Sequence, residues 1–506
     1  MTHHFVLVLP PISPVGASAH YFWVLQKWLH EFKNETTTII MPTYYKTAFY
    51  DQNRWEFGEW SKKFHQYAPT YLRNNDHKNI YYYPFLSEIE NKSSISESFK
   101  FSVKNNCYDL FLFYKKTINE IKKSFGESLV LVSWVNNASL RDAAKKENIQ
   151  LIFNEIGPLR KPYYKQTAYW DTHGVNGDTN VATLWASEKT PFKEWFTHNE
   201  LHIQPETIRS LIANVSITHS TPQYPLGIAL QIETDSNALV FNRGWNNLSL
   251  IEHARTRLNL DKILVRYHPN GKALYSGLTD RDPNPLVFLS NVKELWTINS
   301  SLGIEAIFWN IPVVFFGNSP VETFISLEEN EKDIFYTWFF TRYLIPYDFL
   351  FSKEYYIWRL NKPSFSEIIN KHLCTYREKQ SEYPVLAINN ENHARPLFIR
   401  PLQNTLNHLE NADRNILSQK ELLQKQLNSI NLLECQISER DKWVNDRNTW
   451  IKDRDQWIQD RDNLIKTLQQ QIVDRDRWIQ DRDRWIQDRD EIIEMYKQNI
   501  DKKPSF

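Results

Sequence analysis

Cysteine and glycine are scarce in this sequence of 506 residues, which has only three cysteines and twelve glycines. Cys107, Cys374 and Cys435 lie far apart and match neither a metal-ligand spacing nor a disulfide framework. A reducing cytoplasm therefore fits the composition, and the cysteines give no reason to expect a metal.

An excess of charge is also missing, because 60 basic residues balance 60 acidic ones. Nothing in the overall charge favours nucleic acid, so we expect no nucleic acid partner. No segment approaches the roughly 20 consecutive apolar residues of a membrane span, and the first apolar run, residues 5–9, follows no basic leader. We expect a cytoplasmic protein with at most peripheral contact at the inner face of the inner membrane.

Short apolar runs alternate with helical patterns through most of the chain. Strands are predicted at 5–9, 37–40, 129–134 and 150–154, and helices at 21–29, 108–123 and 138–146. After a connection rich in Ser, Thr and Pro at 218–225, further strands are predicted at 226–232, 263–265, 295–299 and 311–317, with a helix near 365–373. This alternation is typical of an α/β fold, with parallel sheets covered by helices. We predict two Rossmann-like domains, 1–217 and 218–374, then a linker or strap at 375–404.

Polar residues follow two strands of the second half. His268 comes after the strand 263–265, and Ser300 and Ser301 come after the strand 295–299. Because ligands of parallel sheets bind beyond the carboxyl ends of the strands, these residues are expected to face one crevice, where the start of a helix could hold a phosphate. Each signal alone has a simpler explanation, either a histidine held extended before Pro269 or an ordinary helix cap.

Together these signals form a known combination. The order of strand, His268-Pro269, strand, Ser300-Ser301 and a helix containing Glu305 resembles the nucleotide half of GT-B glycosyltransferases that use CMP-activated acidic sugars, the sialyltransferases and the Kdo transferases. Kdo is an acidic keto-deoxy-octose. The resemblance implies that His268 binds the CMP phosphate, that the serine pair assists, and that Pro269 and Glu305 belong to the same donor site.

Three carboxylates stand at or just past predicted strand ends, namely Glu155, Asp171 and Asp235. Any one of them could be a helix cap or a surface charge. Their series of motifs, Glu-x-Gly, Trp-Asp and Gln-x-x-x-Asp from Gln231, is similar in order and spacing to retaining β-Kdo transferases of bacterial capsule and O-antigen (lipopolysaccharide) assembly. The likeness covers roughly residues 1–400. It departs at Asn154, where capsule enzymes more often have a second acid.

The resemblance implies a glycosyltransferase that moves Kdo from CMP-β-Kdo to a surface-glycan acceptor with retention. Asp235 is the expected nucleophile and Glu155 the expected general base, with Gln231 and Asp171 at the donor site. No Asp-x-Asp triplet stands at a convincing strand end, so no metal or other cofactor is expected. Two alternatives stay open: an inverting CMP-sialic-acid-type transferase with Glu155 or Asp171 as base, and an inactive GT-B scaffold that recruits glycan-assembly enzymes.

The tail, 405–500, has no glycine and no proline, and an apolar residue recurs every seven positions from Val444 to Ile493. Tryptophan precedes five of these residues, and arginine occupies most places where a leucine zipper has leucine. A strict seven-residue repeat is the mark of a supercoiling helix. We predict a coiled-coil helix that forms homo-oligomers through residues 420–495, as a trimer or larger bundle, with a membrane surface or a partner protein as the alternative contact.

Overall fold

The computed structural model describes residues 3–12, 21–32, 37–43, 78–83, 92, 94–126, 128–199, 203–217, 221–232, 235–268, 271, 275, 278–280, 284–379, 386–388 and 400–500. The chain divides into two compact units, Met1–Arg395 and Pro396–Phe506.

The first unit contains a seven-stranded sheet with the strand order β13-β6-β5-β4-β1-β2-β3. These strands are β1 (His4–Val8), β2 (Thr37–Pro42), β3 (Lys78–Tyr83), β4 (Leu129–Trp134), β5 (Gln150–Ile156), β6 (Thr167–Asp171) and β13 (Ile345–Pro346). The five strands β3, β2, β1, β4 and β5 are parallel to one another. Strand β6 runs antiparallel to β5, and β13 runs antiparallel to β6. Val6 and Val8 pack into one apolar cluster and Phe5 and Leu7 into another. Both faces of the sheet are therefore buried, which explains its nearly continuous apolar strands.

In its described residues this part of the chain has the helices α1 (Phe22–Glu31), α2 (Ile95–Lys104), α3 (Tyr108–Phe125), α4 (Ala138–Lys146), α5 (Val181–Asn199) and α6 (Pro205–Ile212). Local sequence sets their ends. The side chain of Asn137 caps α4 by accepting a hydrogen bond from the backbone N–H of Leu140 at 3.0 Å. Gly126 ends α3 with a positive φ of 85°, a conformation that favours glycine.

The second sheet is parallel throughout, in the order β10-β9-β8-β11-β12. Its strands are β8 (Leu226–Ala229), β9 (Ile263–Arg266), β10 (Leu278–Asp280), β11 (Leu295–Thr297) and β12 (Val313–Phe315). The helices of this half are α7 (Ser236–Val240), α8 (Asn247–Arg255), α9 (Pro285–Ser290), α10 (Ser301–Phe308), α11 (Glu322–Ile325), α12 (Glu329–Thr337), α13 (Lys353–Leu360) and α14 (Phe365–Glu378). A parallel two-stranded pair joins β7 (Val215–Ile217) to β14 (Leu386–Ile388).

The predicted fold class is confirmed: the chain is GT-B-like, with two Rossmann-like sheets followed by a long C-terminal helix. The helix predicted at 138–146 has the predicted ends, and the strand predicted at 150–154 continues to Ile156, so Glu155 lies within it.

The chain differs from the predicted division because part of the second half returns to the first sheet. Strand β13 pairs with β6, and Phe351 stacks on Trp134 with a ring separation of 6.0 Å. Tyr355 and Tyr356 of α13 are buried in the same apolar cluster as β1. The predicted domain 218–374 is therefore not one block, and the predicted strap 375–404 includes the end of α14 and all of β14.

Helix α15 (Arg400–Ile500) forms the second unit. Its five repeat tryptophans are between 61% and 64% exposed, so the predicted Trp-Ile ridge lies open along the helix. Three arginines of the repeat lie over the tryptophan four residues earlier, as Arg447 does over Trp443 at 5.5 Å. Arg454 also pairs with the next residue, Asp455, at 2.8 Å. Four of the five arginines at the predicted core positions, all except Arg475, thus have partners within their own helix in the described residues.

No helix in the described ranges has both the length and the apolar character that crossing a bilayer requires.

The exposed ridge predicts self-association, because exposed apolar patches of more than a few hundred Å² are rare on monomers. We expect the full chain to be oligomeric in light scattering, and a chain cut after about residue 400 to be monomeric and still active. A full chain that is as monomeric as the truncated one would contradict this prediction. Loss of activity on truncation would place the tail within the catalytic unit.

Candidate functional site

The carboxyl ends of β8, β9 and β11 lie side by side, because β9 and β11 both pair with β8 in parallel. Gln231, His268 and Asn299 each follow one of these strands by two residues. The structure thus places the predicted His268 and Ser300-Ser301 positions at one edge of the second sheet.

Gln231 connects two of these strand ends. Its side chain is buried, and its Oε1 accepts a hydrogen bond from the backbone N–H of Asn299 at 3.2 Å. The backbone N–H of Gln231 donates to Oδ1 of Asn247 at 3.2 Å, and Asn247 donates back to the carbonyl of Gln231 at 2.8 Å. Gln231, which was predicted to contact the sugar donor, therefore fixes the loop that leads to Ser300.

Helix α10 begins at the serine pair. The Ser300 hydroxyl caps it by accepting from the backbone N–H of Leu302 at 3.2 Å, and Ser301 is its first residue. A Cβ on Gly303 would lie 2.4 Å from a ring carbon of Phe315, so only glycine lets this turn pack so closely on the sheet. Ser300 is an ordinary helix cap, as the simpler explanation supposed. The helix start that it caps lies at the carboxyl ends of the strands.

His268 is half-buried and starts a turn in which its carbonyl accepts from the N–H of Gly271 at 2.8 Å. Pro269, predicted beside it, lies outside the described residues.

Asp235 caps the short helix α7. Its Oδ1 accepts from the backbone N–H groups of Asn237 at 2.8 Å and Ala238 at 3.3 Å. Both cap bonds use the same oxygen. The cap therefore orients the carboxylate while engaging only one of its two oxygens.

Glu155 lies on β5 opposite Tyr169 of β6 and is half-buried. Burial raises the pKa of its carboxyl to about 7, and the charge of Asp235 acts in the same direction. Arg160 and the backbone N–H of Ile156, which donates to Oε1 at 3.0 Å, oppose this rise. Glu155 on β5 of the first sheet and Asp235, which follows β8 of the second, are therefore within electrostatic reach of each other.

The glycine of the Glu-x-Gly motif has a packing role. A Cβ on Gly157 would lie 2.4 Å from Oγ1 of Thr167 and 2.6 Å from its carbonyl carbon. Contacts this short would push β6 away from the end of β5. Gly157 thus lets the chain turn directly after Glu155.

Asp171 has a different role from the one predicted. It is buried, and its oxygens accept from the backbone N–H groups of His173 at 2.7 Å and Asn180 at 3.1 Å, and from the Tyr343 hydroxyl at 2.6 Å. The N–H of Gly174 adds a further bond at 3.2 Å. With both oxygens engaged inside the protein, Asp171 organises the loop after β6 rather than presenting a free carboxylate to a sugar.

Glu305 also has a different role from the predicted one, which was to contact the sugar donor. It is buried in α10, where its Oε2 accepts from the Tyr164 hydroxyl at 2.9 Å, and the same hydroxyl accepts from the indole N–H of Trp309 at 2.9 Å. Burial raises the pKa of Glu305 to about 7, against the effects of the Tyr164 hydrogen bond and the charges of Arg160 and Arg266. Glu305 thus ties helix α10 to the segment that follows β5.

Three residues were missed as site residues: Asn154, Arg160 and Tyr164. Buried Asn154 donates to the carbonyl of Leu350 at 3.1 Å and to the Tyr356 hydroxyl. Both partners belong to the segment of the second half that packs on the first sheet. Position 154 therefore needs a hydrogen-bond donor, and an ionised acid cannot donate. For Arg160 the only sequence signal was its position five residues after Glu155.

Residues 7–180 match the model described as Glycosyltransferase 99 family N-terminal domain. This match supports the glycosyltransferase family predicted from the motifs. Over these residues the chain is similar to the N-terminal domain of that family, and a glycosyltransferase would bind a sugar donor and a glycan acceptor. The match runs from the end of β1 through β6, and so contains Glu155 and Asp171.

Solved structures similar to the chain include two of Thermosulfurimonas dismutans KpsC. The β-Kdo 2,7-transferase is 14% identical with a TM-score of 0.34, over 46% of this chain and 82% of that one. The β-Kdo 2,4-transferase is 17% identical with a TM-score of 0.32, over 49% and 88%. Spinosyn rhamnosyltransferase SpnG is 9% identical with a TM-score of 0.25, over 76% and 97%. At TM-scores this low the fold assignment rests on strand order instead. No curated protein matches the chain.

The buried Glu305 carboxyl predicts a pH-dependent stability. Because its folded pKa of about 7 exceeds its ordinary value of 4.5, stability from this group is lost as the pH rises through that interval. Glu305→Gln keeps an acceptor for Tyr164 and cannot ionise, so at pH 8 the variant should be more stable by up to roughly 3 kcal/mol. The advantage should shrink as the pH falls toward 4.5.

Denaturant unfolding across this pH range measures the difference. Glu322→Gln is the matched control, since Glu322 is a partly exposed glutamate paired with Arg243. A difference between Glu305→Gln and wild type that does not vary with pH would contradict the assignment.

Proposed function

We propose that this glycosyltransferase moves a Kdo residue from CMP-β-Kdo to an acceptor on a bacterial surface glycan, with retention through a covalent intermediate on Asp235. One observation carries the proposal. Glu155 on β5 of the first sheet lies within electrostatic reach of Asp235, which follows β8 of the second sheet, and the strands that precede His268 and Ser300 both pair with β8.

The second sheet would bind the nucleotide. The phosphate of CMP is negatively charged and leaves with the bonding electrons, so it needs positive charge and hydrogen-bond donors rather than a metal. His268 and the serine hydroxyls would supply donors, and the amides at the start of α10 would supply the positive end of a helix dipole.

The first step would be attack of Asp235 on the anomeric carbon, which forms a carbon–oxygen ester bond and breaks the bond to the CMP phosphate oxygen. Because the cap bonds hold Oδ1, we assign the attack to Oδ2. The acceptor hydroxyl then attacks from the vacated side while Glu155 takes its proton, and Asp235 leaves as a carboxylate. Two inversions give net retention.

Burial of Glu155 suits the role of general base. With a pKa of about 7, the carboxylate is a stronger base than an exposed glutamate and is still largely ionised just above neutral pH. Its function would be lost as the pH falls below 7 and it takes up a proton.

The tail would add self-association to this activity. The open Trp-Ile ridge of α15 supports contact with further copies of the chain, and any membrane contact would be peripheral.

His268→Ala tests the nucleotide site. Loss of a charge-assisted contact to phosphate should weaken donor binding and turnover by roughly 10- to 100-fold while leaving thermal unfolding unchanged. His198→Ala is the control, because His198 is exposed on α5. Unchanged kinetics in folded His268→Ala would remove this site from the mechanism.

Asp235→Asn tests the nucleophile. Asparagine caps helices as well as aspartate does, so the fold should be kept while transfer is abolished. Mass spectrometry of wild-type protein given donor alone should find a sugar-sized mass on the peptide that contains Asp235. An inverted product, or an adduct on Glu155 or Asp171, would refute the assignment.

A further inference from the structure

Arg160 lies in the segment that connects β5 to β6, five residues after Glu155. Its Nε donates to the carbonyl of Gly157 at 3.0 Å, and its side chain is exposed. In the described part of the chain the guanidinium forms no ion pair. Because Nε donates to Gly157, the two Nη groups are the donors of the guanidinium that can bind another group.

The charge of Arg160 acts on groups from both halves of the protein. It lowers the pKa values of Glu155 and Tyr169 in the first sheet and that of Glu305 in α10, although burial raises all three overall. A cation therefore lies within electrostatic reach of both the proposed base and the helix that starts at Ser301.

The proposed reaction creates a charge problem that such a cation would solve. In an acidic keto sugar the carboxylate is bonded to the anomeric carbon. When Asp235 and Glu155 approach that carbon, three negative groups crowd together and repel one another. An arginine fork matches the geometry of a carboxylate and stays charged at all relevant pH values.

We propose that Arg160 binds the carboxylate of the donor sugar through its Nη groups, and so selects acidic sugars over neutral ones. This inference rests on the proposed function. Arg266 is a poorer candidate, since it is buried and lies 6.0 Å from the centre of the Phe288 ring. Arg160 is exposed and lies five residues after the proposed base.

The test compares wild type, Arg160→Ala and Arg160→Lys, with Arg255→Ala as the matched control. Arg255 is partly exposed on α8 and pairs with Glu252. Two readouts are needed. One is kcat/KM for hydrolysis of CMP-Kdo without acceptor, and the other is binding of Kdo and of its methyl ester to protein saturated with CMP.

We expect Arg160→Ala to lower kcat/KM by roughly 10- to 100-fold, as loss of a charge-assisted bond predicts. Affinity for CMP alone should not change. Wild type should prefer Kdo over the uncharged ester, and Arg160→Ala should lose this preference. Arg160→Lys should retain part of it, because lysine keeps the charge but not the fork. Arg255→Ala should resemble wild type.

The outcomes separate this inference from the proposed function. Wild type that does not turn over CMP-Kdo refutes both. Turnover with an acid preference that survives in Arg160→Ala refutes the Arg160 assignment alone. If that variant only raises the pH midpoint of activity and keeps the preference, Arg160 serves to lower the pKa of Glu155 and does not bind the sugar.

Discussion

The hydrogen bond from Tyr164 to Glu305 joins the two sheets at the candidate site, between the segment after Glu155 and the helix that starts at Ser301. Both side chains are buried, and leaving either without its partner would cost about 1–3 kcal/mol. Trp309 donates to the same hydroxyl. Glu305 lies one helical turn after Ser301, so this bond sets the position of the helix start relative to the Glu155 side of the cleft.

A second constraint comes from the return of the chain to the first sheet. The segment from β13 to α13 fills a face of that sheet with Phe351, Tyr355 and Tyr356, and it gives Asn154 its hydrogen-bond partners. The strand that carries Glu155 is thus held by hydrogen bonds to Leu350 and Tyr356, which lie far along the chain. The two halves are therefore joined by hydrogen bonds and by packing.

Features with a local physical signal could be predicted from the sequence. Apolar runs located the strands because buried parallel strands are apolar on both faces, and Asn137 and the serine pair marked helix starts because caps are local. The partners of Glu305 and Asp171 could not be predicted. Tyr164 lies 141 residues from Glu305, and Tyr343 lies 172 residues from Asp171.

The same reasoning explains why the roles of the Asp171 and Glu305 carboxylates were predicted incorrectly. A strand-end acid that binds a ligand and one that binds the backbone of its own loop have the same sequence signature, and only the positions of the donors distinguish them. Asp171 meets backbone and tyrosine donors, whereas Asp235 meets backbone donors with one oxygen only. Arg160 had no pattern of its own, because a single arginine in a loop carries no periodicity.

The near-identity of the tail repeats raises a question of alignment between helices. A neighbouring helix shifted by seven residues would meet almost the same tryptophans, isoleucines and arginines, so the repeats alone would tolerate slippage. One stretch breaks the pattern: Leu464 and Gln471 replace tryptophan, and Leu468 replaces arginine. If parallel copies associate along this ridge, only unshifted helices place that stretch against itself, and a slipped pair would set leucine against the guanidinium of an arginine. A few irregular residues would then fix the alignment of a helix more than a hundred residues long.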